Sequence, residues 1–289
     1  MCLFAIALAA TSPIFDFATN SINQRIIGCD PAVCLSRFVD YPNCFAKASK
    51  NFSLFTFHFS LNQRFWLKDV DFSCVSPWNS GGGRVRAGTA ISKRHVIFAS
   101  HFPLAKGCRI LFVGQDGEVC PCYIDAVKEV GLKLDMSIGL LNAELTPNIH
   151  PAKILPVGFE KHLGDMRGLP VVTFNQFEKA FLTEVSVVPT NALRSCMMCS
   201  RRPKNSDWGR FRENIVSGDS GDPAFILIGN EPILIYCLTG GGSGAGLPIH
   251  RFRNEVQATM DALCPGYKLE EFDFGHAYLS ATKRCGDLN

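Results

Sequence analysis

Between Gly88 and Tyr236 the chain is a succession of short apolar, often β-branched segments, punctuated by Gly, Pro, Asn and Asp. They are Gly88–Ile91, His95–Phe98, Arg109–Val113, Ile138–Leu141, Val171–Phe174, Ala180–Val188, Ala224–Ile228 and Pro232–Tyr236. Branched side chains favour the pleated backbone. Many short strands with turn residues between them and few helical stretches predict an all-β sandwich or barrel. One segment departs from the rhythm. Phe252, Val256, Met260 and Leu263 recur at helical spacing, which predicts an amphipathic helix over Phe252–Leu263 on the C-terminal side.

The 289 residues suffice for two compact domains, and 47% hydrophobic with 19% charged residues suits a folded protein with a sizeable core. Net charge is +3, and the strongest basic cluster, Arg201-Arg202-Pro203-Lys204, reads as a solvated loop, so no nucleic-acid partner is expected. No apolar run approaches the roughly 20 residues that span a bilayer, so no stable membrane anchoring is expected.

Thirteen cysteines suggest an oxidising compartment and disulfides. The apolar run Cys2–Ala10, with Ala7-Leu8-Ala9 inside it, resembles a signal-peptide core over residues 1–9, although no Lys or Arg precedes it. A secreted or extracytoplasmic location is therefore expected. Residues 10–83 read as an N-terminal cysteine-containing extension, with Cys29, Cys34 and Cys44 close together, the alternating stretch Phe55–Leu61, a glycan acceptor at Asn51-Phe52-Ser53, and a flexible joint at Asn79–Gly83. Cys120-Pro121-Cys122 and Cys196–Cys199 allow two readings, disulfides or a four-thiolate zinc site; the single intervening residue of the first pair disfavours zinc, and no metal is expected.

The peptide that carries chemistry is Gly218-Asp219-Ser220-Gly221-Asp222-Pro223. A serine hydroxyl is a poor nucleophile until a base takes its proton. Flanking glycines permit a tight turn that aims successive N–H groups at one point, where an oxyanion would develop. The strand that follows distinguishes this peptide from the nucleophile elbow of α/β-hydrolases, in which a helix follows the serine. Among the seven histidines, His101 ends the pattern strand, turn, strand, histidine over Gly88–His101, whereas His95 precedes an apolar run and suits a structural role. A base of this kind needs a buried carboxylate to fix its tautomer. Asp135 opens the apolar run Met136–Leu141, and Asp125 is the alternative.

These segments together resemble the trypsin-like, chymotrypsin-fold serine protease family. Gly218–Pro223 is similar to its Gly-Asp-Ser-Gly-Gly-Pro hallmark, with Asp222 in place of the last glycine. Gly88–His101 is similar to its Gly-Ser/Thr-Leu-Ile … Thr-Ala-Ala-His stretch, with Ser100 and Phe102 as departures, and Leu134–Leu141 to its Asp-Ile-Ala-Leu-Leu. The order His101, Asp135, Ser220 is that of chymotrypsin-type enzymes, and the spacings fit a trimmed, bacterial-like member. The resemblance, over about residues 84–264, implies two six-stranded antiparallel β-barrels and a final helix. The first barrel falls at 84–160, the second at 161–250, and the helix and tail at 251–289.

The resemblance also implies a cofactor-free serine endopeptidase with a polypeptide substrate and, as a further partner, a protein inhibitor. His101, Asp135 and Ser220 would be catalytic, and the Gly218 and Ser220 N–H groups would form the oxyanion hole. Asn214 would floor the substrate pocket, its neutral amide arguing against a basic residue there. Thr239, Gly240 and Gly241 would form the opposite wall. Relatives often pair the residue at Asp219 with a freed N-terminus, and nothing before Gly88 matches the activation peptide. A non-catalytic homologue acting as a binding module is the alternative.

Overall fold

The structure is a computed structural model that describes residues 12–39, 59–76, 78–80, 87–188, 197–240 and 244–275. The predicted signal-peptide core, the sequon at Asn51, Cys44, most of the glycine joint, and Gly241 lie outside them.

Two sheets form the body. The first is antiparallel, with strand order β1-β4-β5-β6-β3-β2. Its strands are β1 (Trp78–Ser80), β2 (Thr89–Ala90), β3 (His95–Phe98), β4 (Arg109–Val113), β5 (Val119–Glu129) and β6 (Ser137–Leu141). The second has the order β13-β10-β9-β8-β11-β12-β7. It contains β7 (Lys153–Ile154), β8 (Pro170–Phe174), β9 (Ala180–Val187), β10 (Met198–Arg201), β11 (Pro223–Ile228), β12 (Glu231–Cys237) and β13 (Ala245–Gly246). The architecture is the expected all-β arrangement of two sheets with a C-terminal helix. The second sheet is longer than expected because β7, just beyond the first sheet, joins β12 in parallel. The C-terminal helix runs over Arg253–Leu263 and buries Val256, Thr259 and Met260.

β5 carries the first sheet around its corner. Its first half, Val119–Tyr123, pairs with β4, and its second half, Ile124–Glu129, pairs with β6 across a register shift. Cys120, Cys122 and Ile124 are buried while Pro121, Tyr123 and Asp125 face solvent, the alternation of a sheet wet on one side. Pro121 lacks an N–H, yet it lies in the half that β6 does not pair, so it breaks no ladder.

The extension is neither a separate unit nor disulfide-tied among the described residues. Ser12 caps a helix over Pro13–Ile26 by accepting from the Phe15 N–H at 3.1 Å, with a proline at the first helical turn. Ile14, Ala18, Ile22 and Ile26 repeat every fourth residue and form its buried face, which packs on β11 and β8. Residues 59–76 then enter the core between the sheets. The Phe72 ring meets Phe174 of β8 at 4.9 Å and Phe225 of β11 at 5.4 Å, both edge-on. The Trp66 indole N–H donates to the Ala180 carbonyl at 2.8 Å.

Arg37 joins the sheets through buried polar contacts. Its N–H donates to the Glu178 carbonyl at 3.0 Å. Its guanidinium donates to the carbonyls of Val113 at 2.8 Å and Val75 at 3.3 Å, and lies 3.9 Å from the Glu178 carboxylate. Both side chains are buried. Burial lowers the Arg37 pKa, and burial raises that of Glu178 to about 7 against the pull of Arg37.

All nine described cysteines are free. Most lie in or against the core as small apolar side chains, so the expected disulfides do not form among the described residues. Among those residues no helix is long and apolar enough to cross a membrane.

Removing the cation of a buried pair leaves its carboxylate uncompensated. Arg37→Met is expected to lower unfolding free energy by about 3–5 kcal/mol. Arg37→Met/Glu178→Gln should recover a large part of that loss in urea denaturation. Additive losses would contradict coupling between the two residues.

Candidate active site

His101 and Asp135 meet because β3 and β6 are neighbours. Phe98 at the end of β3 is in register with Ser137 at the start of β6, so the chain leaving one and the chain entering the other share one sheet end. Ser100 and Ser137 hydroxyls are 2.7 Å apart and close that end. The Asp135 carboxylate accepts from the His101 backbone N–H at 2.8 Å and lies 2.6 Å from the ring Nδ1. An ionised carboxylate can only accept, so Nδ1 carries the proton, and in the neutral imidazole Nε2 then presents its lone pair. On that side stands Ser220 Oγ, 2.8 Å away, from the turn ahead of β11 in the other sheet. The hydroxyl therefore donates to Nε2. The arrangement allows proton removal from Ser220 with the resulting imidazolium facing Asp135.

Asp135 departs from expectation in its burial. Its side chain is 34% exposed and that of His101 46%, because both hang from turns at the sheet end and not from strands within it.

The turn that carries Ser220 depends on two glycines. Gly218 has φ +108° and Gly221 φ +93°, where a side chain is strained. A Cβ at Gly221 would also meet the Ala87 carbonyl at 3.0 Å. The turn is tied internally by the Asp222 N–H to the Asp219 carbonyl at 3.1 Å, and to the neighbouring chain by reciprocal bonds: Gly221 N–H to Leu238 carbonyl and Leu238 N–H to Asp222 carbonyl, both 2.8 Å. Among the described residues the N–H groups of Gly218 and Ser220 donate to no protein acceptor.

The substrate-side expectations fall as follows. Asn214 is exposed in the connection leading to the nucleophile turn. Thr239 and Gly240 follow β12, and both N–H groups donate to the Ala245 carbonyl, at 2.9 and 3.1 Å. Gly240 N–H is therefore engaged within the chain, and Gly241 lies outside the described residues. A cavity bounded by Arg37, Asn62, Phe65, Lys68 and Phe72 contains no triad residue.

The competing residues lie elsewhere. His95 is buried within β3, its Nδ1 2.8 Å from the Ser92 hydroxyl, and burial lowers its pKa to about 4. Asp125 is exposed on β5. Cys120 and Cys122 sulfurs are 3.9 Å apart on one strand face, and the neighbouring thiol holds Cys120 down at about 6. Cys196 lies outside the described residues, among which no three metal-ligating side chains cluster. Gln176 escaped the sequence reading: it is a turn residue between β8 and β9 with no motif around it, yet it touches the nucleophile turn through Ser217 and Asp219.

No family model and no curated protein matches this sequence. Among solved structures the chain is similar to kallikrein-related peptidase 10, at 15% sequence identity and a TM-score of 0.46, over 64% of this chain and 95% of that one.

Asp222 is buried and one of its carboxylate oxygens has no partner among the described residues. Burial first, then Asp219 and Glu178, push its carboxyl well above the usual carboxylate range. A carboxyl raised in the folded state costs nothing below its unfolded pKa near 4, and its cost grows as pH rises above that. Asp222→Asn should therefore stabilise the protein by about 1–3 kcal/mol near pH 7 and by little at pH 4. Urea titrations across that range check this; an unchanged pH slope would contradict it.

Proposed function

We propose that this chain is a serine endopeptidase that hydrolyses peptide bonds through an acyl-enzyme. The observation that carries the reading is the unbroken hydrogen-bonded path Ser220 Oγ, His101 Nε2, His101 Nδ1, Asp135, at 2.8 and 2.6 Å. Ser220 attacks the scissile carbonyl while His101 takes its proton. The carbonyl oxygen, now negative, accepts from the Gly218 and Ser220 N–H groups, which donate to no other acceptor among the described residues. His101 then delivers its proton to the leaving amine. Water, deprotonated by the same ring, releases the acyl group. Asp135 keeps the ring in the required tautomer through its bond to Nδ1 and keeps the loop in place through its bond to the His101 N–H.

The substrate is an extended polypeptide, and the neutral Asn214 disfavours a basic side chain beside it. The spacing of the three residues suits a trimmed, bacterial-like protease.

A second reading, a non-catalytic binding module, is favoured by the buried Asp222 two residues from the nucleophile. The two readings separate on one reagent. A fluorophosphonate probe is expected to add one label per chain at Ser220, and Ser220→Ala is expected to take none. Asp135→Asn should lower kcat by about 10⁴. A folded wild-type protein that takes no label under any condition would leave the binding-module reading.

A further inference from the structure

Asp219, next to the nucleophile, is fully buried, and a buried carboxylate needs compensation. Among the described residues no Lys, Arg or His pairs with it. Three N–H donors meet it instead. One oxygen accepts from the Gln176 backbone N–H at 3.1 Å and from the Gln176 side-chain amide at 3.0 Å. The other accepts from the Val216 N–H at 2.7 Å. The Gln176 amide also donates to the Ser217 carbonyl at 3.1 Å. Its end lies beneath Gly218, where an added Cβ would meet the amide nitrogen at 2.7 Å and the amide oxygen at 2.8 Å. Gln176 thus contacts the turn at Ser217, Gly218 and Asp219, the residues leading into the nucleophile.

Gln176 is itself held. The Asn175 side chain accepts from the N–H groups of Phe177 at 3.0 Å and Lys179 at 3.2 Å, and the Glu178 N–H donates to the Asn175 carbonyl at 2.9 Å. Glu178 takes a left-handed φ of +54° in this turn, and its carbonyl accepts from Arg37. A path of short contacts therefore runs from the N-terminal extension, through the β8–β9 turn, to the nucleophile turn.

We propose that Gln176 is the positioning residue of the nucleophile turn, fixing the Gly218 and Ser220 N–H groups through Asp219 in the intact chain, with no liberated N-terminus required. The inference rests on the protease reading of the same site. It makes the extension part of the device that sets the oxyanion-binding turn: Arg37 holds the turn that presents Gln176.

The test uses the full chain, its intact mass verified, with labelling by a fluorophosphonate and turnover of a peptide amide. Gln176→Met keeps the side chain's length beneath Gly218 and removes the amide. It should lower kcat by about 10–100-fold, with KM changed by no more than about twofold, the split expected when only transition-state stabilisation is lost. Gln176→Lys returns a donor of sufficient reach to Asp219 and should restore kcat to within about fivefold of wild type. Gln176→Asn, which keeps the amide but withdraws it by one methylene, gives the same kcat reading as Gln176→Met should that variant not fold. A wild-type kcat in both Gln176→Met and Gln176→Asn would overturn the proposal and leave the protease reading standing. So would an intact wild type that is labelled only after N-terminal trimming. A wild type unlabelled both before and after trimming would overturn the two together.

Discussion

The hydrogen bond from Ser220 to His101 crosses from one sheet to the other, and its 2.8 Å length makes every element that fixes the relative placement of the sheets a determinant of the site. Two kinds of contact do this. The Phe72, Phe174 and Phe225 rings supply apolar burial at the junction. Arg37 supplies directional bonds, to Val113 on the first sheet and to Glu178 in the β8–β9 turn of the second. The aromatic contacts favour closure without fixing an angle, whereas the guanidinium's planar fork tolerates little displacement. Phe72 and Arg37 both lie ahead of β1, so the extension acts as a strap across the junction.

That arrangement concentrates buried charge behind Ser220. Asp219, Asp222, Glu178 and Arg37 are all buried, and their compensation is uneven. Asp219 has three N–H donors, Glu178 has a distant cation, and one oxygen of Asp222 has none. The well-compensated carboxylate is the one whose position the turn depends on. Asp222 is the least compensated of the three carboxylates, and its raised pKa follows from its burial and its two acidic neighbours.

The two sheets were legible because most core strands are apolar, branched and bounded by turn residues. β5 was not, although it is the longest strand, because Pro121 and Asp125 read as breakers; both are tolerated since they lie on its exposed side and β5 pairs with different neighbours along its length. The helix over Pro13–Ile26, despite its Ser12 cap and four-residue repeat, lies in a stretch that read only as a cysteine-containing extension. Ser220, His101 and Asp135 are read from local peptides; the meeting of His101 with Asp135 follows from one register, Phe98 with Ser137, whereas Ser220 reaches them from the other sheet. Gln176 could not be read, since its role arises only from the approach of two turns 43 residues apart.

In the protease reading Ser220 and His101, supplied by different sheets, act as one catalytic unit. The test is to compare kcat/KM for a peptide substrate in wild type, Ser220→Ala, His101→Ala and the double variant. Residues acting as a unit are strongly non-additive, so the double variant should be no slower than the worse single one, within about threefold. Losses that multiply, or a wild type that turns over no peptide, would contradict it.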